Sequence, residues 1–142
     1  MSRLFCVDGT NLVRTAYGYG GPAHSAQEDA DTDRITVIFG QLCEDADGEV
    51  EVDLFFDGAF RALGGPRPDN FRVSFTRDLP ADDMILDRVR SRQWNGEKTT
   101  VVTADVELGE MAEAEGGKWM RVAHGSAIEG IVRQMTRGRF LR

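Results

Sequence analysis

Short apolar runs alternate along the chain with segments whose apolar residues recur at helical spacing. The continuous run at residues 4–7 is typical of a strand buried on both faces. Further strands are predicted at Val50–Phe56, Phe71–Phe75, Thr99–Thr103 and 118–122, and the alternation within Phe71–Phe75 favours an edge position. Because strands and helices alternate, the pattern predicts an α/β fold with a mainly parallel sheet.

The segments between the strands predict five helices, one of them short. After a turn at residues 9–11, helical spacing predicts helices at 12–17, 33–46, 80–92, 106–115 and 128–135. In the fourth of these, Leu108, Met111 and Ala112 are expected to face inward. Residues 18–32, rich in glycine and acidic side chains, are interpreted as a mobile loop that could cover a site.

Composition and charge narrow the class of protein. With 142 residues, 41% hydrophobic and 29% charged, the chain is expected to form one globular domain over 1–142, with a frayed basic tail at 137–142. A net charge of −7 argues against coating nucleic acid by bulk attraction. Cys6 and Cys43 lack metal-ligand spacing and are interpreted as reduced, buried thiols of a cytoplasmic protein, and no segment indicates membrane targeting.

Three aspartates stand where predicted strands end: Asp8, Asp57 and Asp105. The carboxyl ends of parallel strands lie along one edge of a sheet, which is where open α/β folds bind their ligands. Each acid also has an ordinary structural interpretation. Asp8 and Asp57 precede glycine and could form turns, while Asp105 could be the N-cap of the following helix.

Asp82 is unusual because it falls within the apolar stripe formed by Ile85, Leu86 and Val89, whereas Asp83 points away from that stripe. Burying an unpaired carboxylate costs several kcal/mol, so its position needs a reason. A first-turn aspartate is favoured by the helix dipole and can still reach water, which is the structural alternative.

Four acids converging on one edge would repel one another unless a cation joined them. Oxygen ligands without nearby cysteine or histidine favour a hard ion, Mg²⁺ or Mn²⁺. Such an ion activates water and stabilises a leaving oxygen, as phosphodiester hydrolysis requires. The pattern therefore indicates chemistry on phosphate.

Five short motifs follow one another along the chain. They are Val-Asp-Gly-Thr-Asn-Leu at 7–12, Phe-Phe-Asp-Gly at 55–58, Val-Ser-Phe-Thr-Arg at 73–77, Ala-Asp-Asp-Met-Ile at 81–85 and Val-Val-Thr-Ala-Asp at 101–105. Together they resemble the NYN branch of the PIN-like nuclease superfamily, most closely its bacterial YacP-like members. The resemblance spans residue 3 to about 135.

This resemblance implies a three-layer α/β/α sandwich with a parallel five-stranded sheet of order 3-2-1-4-5. It also implies a Mg²⁺- or Mn²⁺-dependent endoribonuclease that hydrolyses RNA through a metal-activated water and leaves a 5′ phosphate. The residues that match the family's site are Asp8, Asp82 and Asp105 as metal-binding catalytic acids, Asn11 and Asp57 in support, and Glu107 near a fourth acid position. Arg77 is expected to contact the RNA backbone, and more loosely Arg61, Arg67 and Arg72.

Two other functions remain open. Residues 7–10 resemble the end of the haloacid-dehalogenase phosphatase signature, but Cys6 stands where that family has its nucleophilic aspartate. A PIN-like RNA-binding or protein-interaction module with weak or no catalysis is the stronger alternative. The sequence identifies no ribosome or other protein partner and no oligomeric state.

Four aromatic and imidazole side chains have simpler explanations than catalysis. His24 and His124 are interpreted as exposed loop residues, and Trp94 and Trp119 as packing residues.

Overall fold

The computed structural model describes residues 3–20 and 26–136, and within them the chain forms five strands and five helices. In chain order these are β1 (Arg3–Asp8), α1 (Gly9–Tyr17), α2 (Ala26–Ala46), β2 (Val50–Phe56), β3 (Phe71–Phe75), α3 (Ala81–Trp94), β4 (Thr99–Thr103), α4 (Val106–Ala114), β5 (Lys118–Arg121) and α5 (Ile128–Thr136). Strands β2, β3 and β4 have the bounds that the sequence predicts.

The five strands form one sheet of order β3-β2-β1-β4-β5, and every pair is parallel. Strand β1 lies in the middle, with Val7 opposite Leu54 on one side and Val102 on the other. The predicted order and the edge position of β3 are confirmed. All carboxyl ends of the strands therefore lie along the same edge.

Helices cover both faces of the sheet. Side chains of α1, α2 and α5 pack with Phe5 and Val7 on one face, whereas α3 and α4 pack with Cys6 and Val101 on the other. Alternate residues of a strand point to opposite faces, so β1 contributes to both cores. The predicted α/β/α arrangement of three layers is confirmed.

Helix α1 begins at Gly9, so the turn predicted at residues 9–11 is wrong. A Cβ atom at Gly9 would lie 2.6 Å from the Phe56 ring and 2.7 Å from the Phe55 carbonyl oxygen. Glycine therefore allows α1 to begin directly after β1 and in close contact with β2. Residues 9–11 form the first turn of this helix.

Helix α2 begins at Ala26, so the loop predicted over 18–32 is wrong for residues 26–32. Two of its acids are buried against partners distant in sequence, Glu28 against Arg14 and Asp31 against the Tyr19 hydroxyl. Polar residues therefore lie on the buried side of α2, and the local sequence pattern does not predict this. Residues 21–25, which include His24, and the tail at 137–142 lie outside the described residues.

Two side chains expected to pack inward are exposed. Met111 is 44% exposed because α4 covers only β4 and β5 at the sheet margin, which buries a narrow stripe containing Leu108 and Ala112. Trp94, the last residue of α3, is 89% exposed. The packing interpretation is right for Trp119, whose ring lies against Gly109. No helix within residues 3–20 and 26–136 combines the length and apolar character needed to cross a bilayer.

A cluster of charged side chains lies between α3 and β2. Asp53 is 3% exposed and accepts from Arg88 at 2.7 Å and Arg92 at 2.9 Å, and Arg92 also reaches Glu51 at 3.0 Å. The neighbouring Cys6 thiol is buried, and this burial raises its pKa to about 12. Each buried charge in the cluster is paired with an opposite charge, which offsets the free-energy cost of removing it from water.

We predict that Asp53→Asn lowers the free energy of unfolding by about 3 kcal/mol, because it leaves two arginines with one formal counter-charge fewer in a buried position. Urea unfolding followed by circular dichroism measures the change. Asp87→Asn is the control, since Asp87 pairs with Arg90 on the exposed side of α3 and should change stability by less than about 0.5 kcal/mol. Equal losses in the two variants would contradict the assigned role of the cluster.

Candidate functional site

A cavity of about 400 Å³ opens at the carboxyl edge of the sheet, where β1, β2 and β4 end. Its lining residues are Asp8, Thr10, Asn11, Arg14, Asp57, Asp82 and Asp105. Five of the residues singled out in the sequence therefore share one cavity. Polar side chains dominate it, and four of the seven are carboxylates.

Asp8 ends β1 and immediately precedes α1. Its side chain is 5% exposed and makes no capping bond to the amides of α1, so it does not act as the local turn-former considered from the sequence. Instead, one of its oxygens, Oδ2, accepts a hydrogen bond of 3.0 Å from the Thr103 hydroxyl at the end of β4. The neighbouring strand thus holds the carboxylate in place.

Thr103 joins the ends of the two central strands. Besides donating to Asp8, its hydroxyl accepts from the backbone N–H of Asp105 at 3.1 Å. Asn11 reinforces this connection, because its side-chain oxygen accepts from the backbone N–H of Ala104 at 2.9 Å. The first turn of α1 is therefore attached directly to the end of β4.

Asp105 is the N-cap of α4, as one interpretation of the sequence predicts. Its Oδ1 atom accepts from the backbone N–H groups of Glu107 at 3.0 Å and Leu108 at 3.3 Å. The cap involves Oδ1 alone, and the residue also lines the cavity. Capping fixes this carboxylate at the cavity wall, so the structural and functional interpretations are compatible.

Asp57 attaches the start of α3 to the end of β2. Its Oδ1 atom accepts from the backbone N–H of Ala81, the first residue of α3, at 3.3 Å. Its own backbone N–H donates to the Thr10 hydroxyl at 2.9 Å. Asp82 follows on the next position of α3 and is half-buried in the cavity wall, whereas Asp83 is exposed.

Asp8 and Asp82 have raised pKa values in this cavity. Burial, together with the negative charges of Asp82, Asp57 and Asp105, raises the pKa of Asp8 to about 7, against the lowering effect of the Thr103 hydrogen bond. Burial also raises the pKa of Asp82, followed by the charges of Asp105 and Asp57. The cavity therefore disfavours the ionised forms of Asp8 and Asp82.

The lining atoms are chemically suited to a hard cation. They include carboxylate, amide and hydroxyl oxygens, and a divalent cation would relieve the repulsion that raises the pKa of Asp8. Over residues 3–20 and 26–136, however, no three aspartate, glutamate, histidine or cysteine side chains form a ready group of metal ligands. The carboxylates share a cavity without forming a closed cage.

Arg14 is a cavity residue that the sequence analysis did not identify. Its Nε atom donates to Glu28 at 3.0 Å and its Nη2 atom donates to the same carboxylate at 3.3 Å. Glu28 is 2% exposed, so this pair fixes the guanidinium from the direction of α2. The available signal was its position one turn after Asn11 in a predicted helix.

Glu107 and Arg77 lie outside the lining of the cavity. Glu107 is exposed in the first turn of α4, and its charge contributes weakly to the raised pKa of Asp82. Arg77 is exposed and has a left-handed backbone, with φ of 59°, and its N–H donates to the Gly58 carbonyl at 2.8 Å. Both residues flank the cavity, while His124 is exposed as predicted.

Comparison with known proteins gives a match at the level of structure. No family model and no curated protein sequence matches the chain. The crystal structure of Rae1 (YacP) from Bacillus subtilis, in a mutant form, is similar to it with a TM-score of 0.63 and 15% sequence identity, over 95% of this chain and 77% of that chain. At this identity the likeness shows a shared fold.

We predict that Asp8 makes the metal-free protein less stable as the pH rises. Its folded pKa of about 7 lies above the ordinary value of 3.8, so the folded state retains a proton that the unfolded state has lost. The penalty therefore grows from about pH 4 to about pH 7 and is constant above that. In EDTA, the stability gained by Asp8→Asn over the parent should increase by roughly 2 to 3 kcal/mol between about pH 5 and pH 8.

Denaturant unfolding at a series of pH values measures this difference. Asp83→Asn is the matched control, because Asp83 is exposed in the first turn of α3. Its difference from the parent should remain nearly flat with pH. Parallel pH profiles for the parent and Asp8→Asn would show that burial and crowding of Asp8 have no such effect.

Proposed function

We propose that this protein is a Mg²⁺- or Mn²⁺-dependent endoribonuclease. The observation that carries the proposal is the shared cavity of Asp8, Asp82 and Asp105, which come from three separate elements at the carboxyl edge of a parallel sheet. Structural roles alone do not require three such carboxylates to face one another, since their mutual repulsion is unfavourable.

Two further observations support this proposal. The order and spacing of the five sequence motifs resemble the YacP-like nucleases, and the fold is similar to that of a protein named YacP. The motif residues Asp8, Asn11, Asp57, Asp82 and Asp105 line the same cavity. The residues that carry the sequence resemblance are therefore the residues that line the cavity.

Each residue has a role under this proposal. Asp8 and Asp105 would hold the cation, and Asp82 would share it or help to hold a second one. When bound, the cation lowers the pKa of the attacking water and stabilises the leaving oxygen. Thr103 and Asn11 keep the first two acids in position through their hydrogen bonds.

Arg14 would orient the scissile phosphate. A guanidinium beside carboxylates offers a directional donor to phosphate oxygens, and its pairing with buried Glu28 restricts its freedom before substrate arrives. Asp57 supports the site indirectly by attaching the start of α3 to β2. Glu107, exposed at the flank, would at most contribute charge or an outer contact.

We expect Asp8→Asn and Asp82→Asn each to lower the rate of RNA cleavage by at least about 100-fold, because each removes a charged ligand. Cleavage of end-labelled single-stranded RNA in Mg²⁺ or Mn²⁺, resolved on a gel, measures the rate, and products should carry a 5′ phosphate. Asp83→Asn should cleave at nearly the parent rate, since Asp83 is exposed on the same turn of α3. Equal turnover in all four proteins would reject the assigned catalytic roles.

The alternative function is an RNA-binding or protein-interaction module of the same fold. The net charge of −7 favours the protein-interaction form of this alternative, because any protein that binds RNA, with or without cleavage, generally benefits from a positive surface. The two functions differ in their need for a cation at the cavity.

We predict that millimolar Mn²⁺ raises the melting temperature by several degrees, since a ligand at ten times its dissociation constant adds about 1.4 kcal/mol of stability. Differential scanning fluorimetry with and without Mn²⁺ measures the shift, and Asp8→Asn should reduce it. Asp83→Asn should retain the full shift. Absence of any shift, together with absence of cleavage, would favour the module.

A further inference from the structure

A second surface adjoins the cavity on the side of β3. The chain leaves the cavity at Asp57 and runs outward through 58–61, and a second segment, 76–81, returns to it. The two segments are joined where the Arg77 N–H donates to the Gly58 carbonyl, and the second ends where the Ala81 N–H donates to Asp57. These segments therefore form the rim of the cavity on that side.

Phe60 is an exposed aromatic residue on this rim. It is 66% exposed, yet its ring packs edge to face on Phe75, with centroids 5.3 Å apart and an angle of 71° between the planes. Phe75 in turn stacks on Phe56, whose centroid lies 5.9 Å away. The ring is thus supported from beneath and presents most of its surface to solvent.

Arg61 stabilises the loop that carries Phe60. Its guanidinium lies 5.3 Å from the centroid of Phe75 and 5.7 Å from that of Phe56, and Nη2 donates to the Asp57 carbonyl at 2.8 Å. These contacts show that Arg61 helps to hold the loop in its conformation. Arg67 similarly donates to the carbonyl groups of residues 63–66, and an RNA contact by either arginine stays a prediction.

The charge of this region differs from that of the whole chain. Residues 58–79 contain four arginines and two aspartates, whereas the whole chain has a net charge of −7. Arg77 and Arg72 are exposed there, and Leu79 adds an apolar surface that is 59% exposed. An aromatic ring beside exposed arginines is the combination that binds unpaired bases and their phosphates.

We propose that Phe60, Arg77 and Leu79 form a subsite for an unpaired nucleobase of RNA next to the scissile phosphate. The base stacks on Phe60, and Arg77 contacts the adjoining phosphate. Because bases within a duplex are already stacked and shielded, the subsite selects single-stranded RNA. The inference rests on the proposed function, of which it specifies the substrate class.

Binding of fluorescein-labelled single-stranded RNA of about eight nucleotides, followed by anisotropy in the Asp8→Asn background, tests the subsite without cleavage. Phe60→Ala should weaken binding by about 5- to 50-fold, because stacking on an aromatic ring contributes that much per base. Phe60→Trp should retain binding. Trp94→Ala is the matched control, since Trp94 is an exposed aromatic residue at the far end of α3, and it should bind as the Asp8→Asn protein does.

An oligonucleotide of the same length lacking bases separates stacking from charge. Its binding should be weaker and should not change with Phe60→Ala. The same sequence in a duplex should bind more weakly than the single strand. The subsite would be overturned if Phe60→Ala bound the single strand as tightly as the Asp8→Asn protein does. It would also be overturned if Phe60→Ala weakened the binding of the single strand and of the baseless oligonucleotide by the same factor.

Arg77 supplies an independent test because its left-handed backbone favours glycine. Arg77→Gly should melt no lower than the parent, while its RNA affinity falls and the dependence of binding on salt decreases by roughly one phosphate contact. Unchanged affinity and salt dependence would assign Arg77 no part in the subsite.

The outcomes distinguish the subsite from the proposed function. If the Asp8→Asn protein binds single-stranded RNA but Phe60→Ala has no effect, the subsite is rejected and the nuclease proposal stands. If the Asp8→Asn protein binds no RNA and the parent cleaves none, both are rejected. If Phe60→Ala in the otherwise parent protein leaves the rate of single-stranded RNA cleavage unchanged, the ring makes no contact with the substrate and the subsite is rejected.

Discussion

The pairing of β1 with a parallel strand on each side is the constraint on which the site depends. Strand β1 is hydrogen-bonded to β2 and β4, so the residue that ends it lies between the ends of both neighbours. Asp8 occupies this position and is consequently close to Asp57 and Asp105. No loop has to be folded back to assemble the cavity, because the order of the strands brings the acids together.

Grouping carboxylates in this way opposes folding, and local hydrogen bonds limit the cost. Thr103 donates to Asp8, backbone amides of α4 donate to Asp105, and the first amide of α3 donates to Asp57. A hydrogen bond to an ionised group contributes about 1.5 to 3 kcal/mol, which is enough to hold each acid but leaves their mutual repulsion in place. The carboxylates are therefore held in place by hydrogen bonds, although they repel one another.

The sequence predicts those parts of the molecule that local patterns determine. The bounds of β2, β3 and β4 follow from apolar runs, and the inward position of Asp82 follows from helical periodicity. The start of α2 could not be predicted, because the burial of Glu28 depends on Arg14, which belongs to another helix. For the same reason Arg14 was not recognised as a cavity residue. The exposure of Trp94 could not be predicted, because an aromatic residue at a helix end usually packs and nothing in the local pattern shows that this one does not.

The buried cluster around Asp53 has a consequence for the far end of α3. Arg88 and Arg92 grip β2 near the C-terminal end of this helix, while its N-terminal turn carries Asp82. At 1.5 Å per residue, about 15 Å of rigid helix separates Arg92 from Asp82. The ionic cluster therefore anchors the C-terminal half of α3 on the sheet, while Asp57 anchors its first residue. A shift of α3 along its axis at either anchor would move the Asp82 carboxylate away from its partners, so the accuracy of the cavity also depends on contacts about three helical turns away from it.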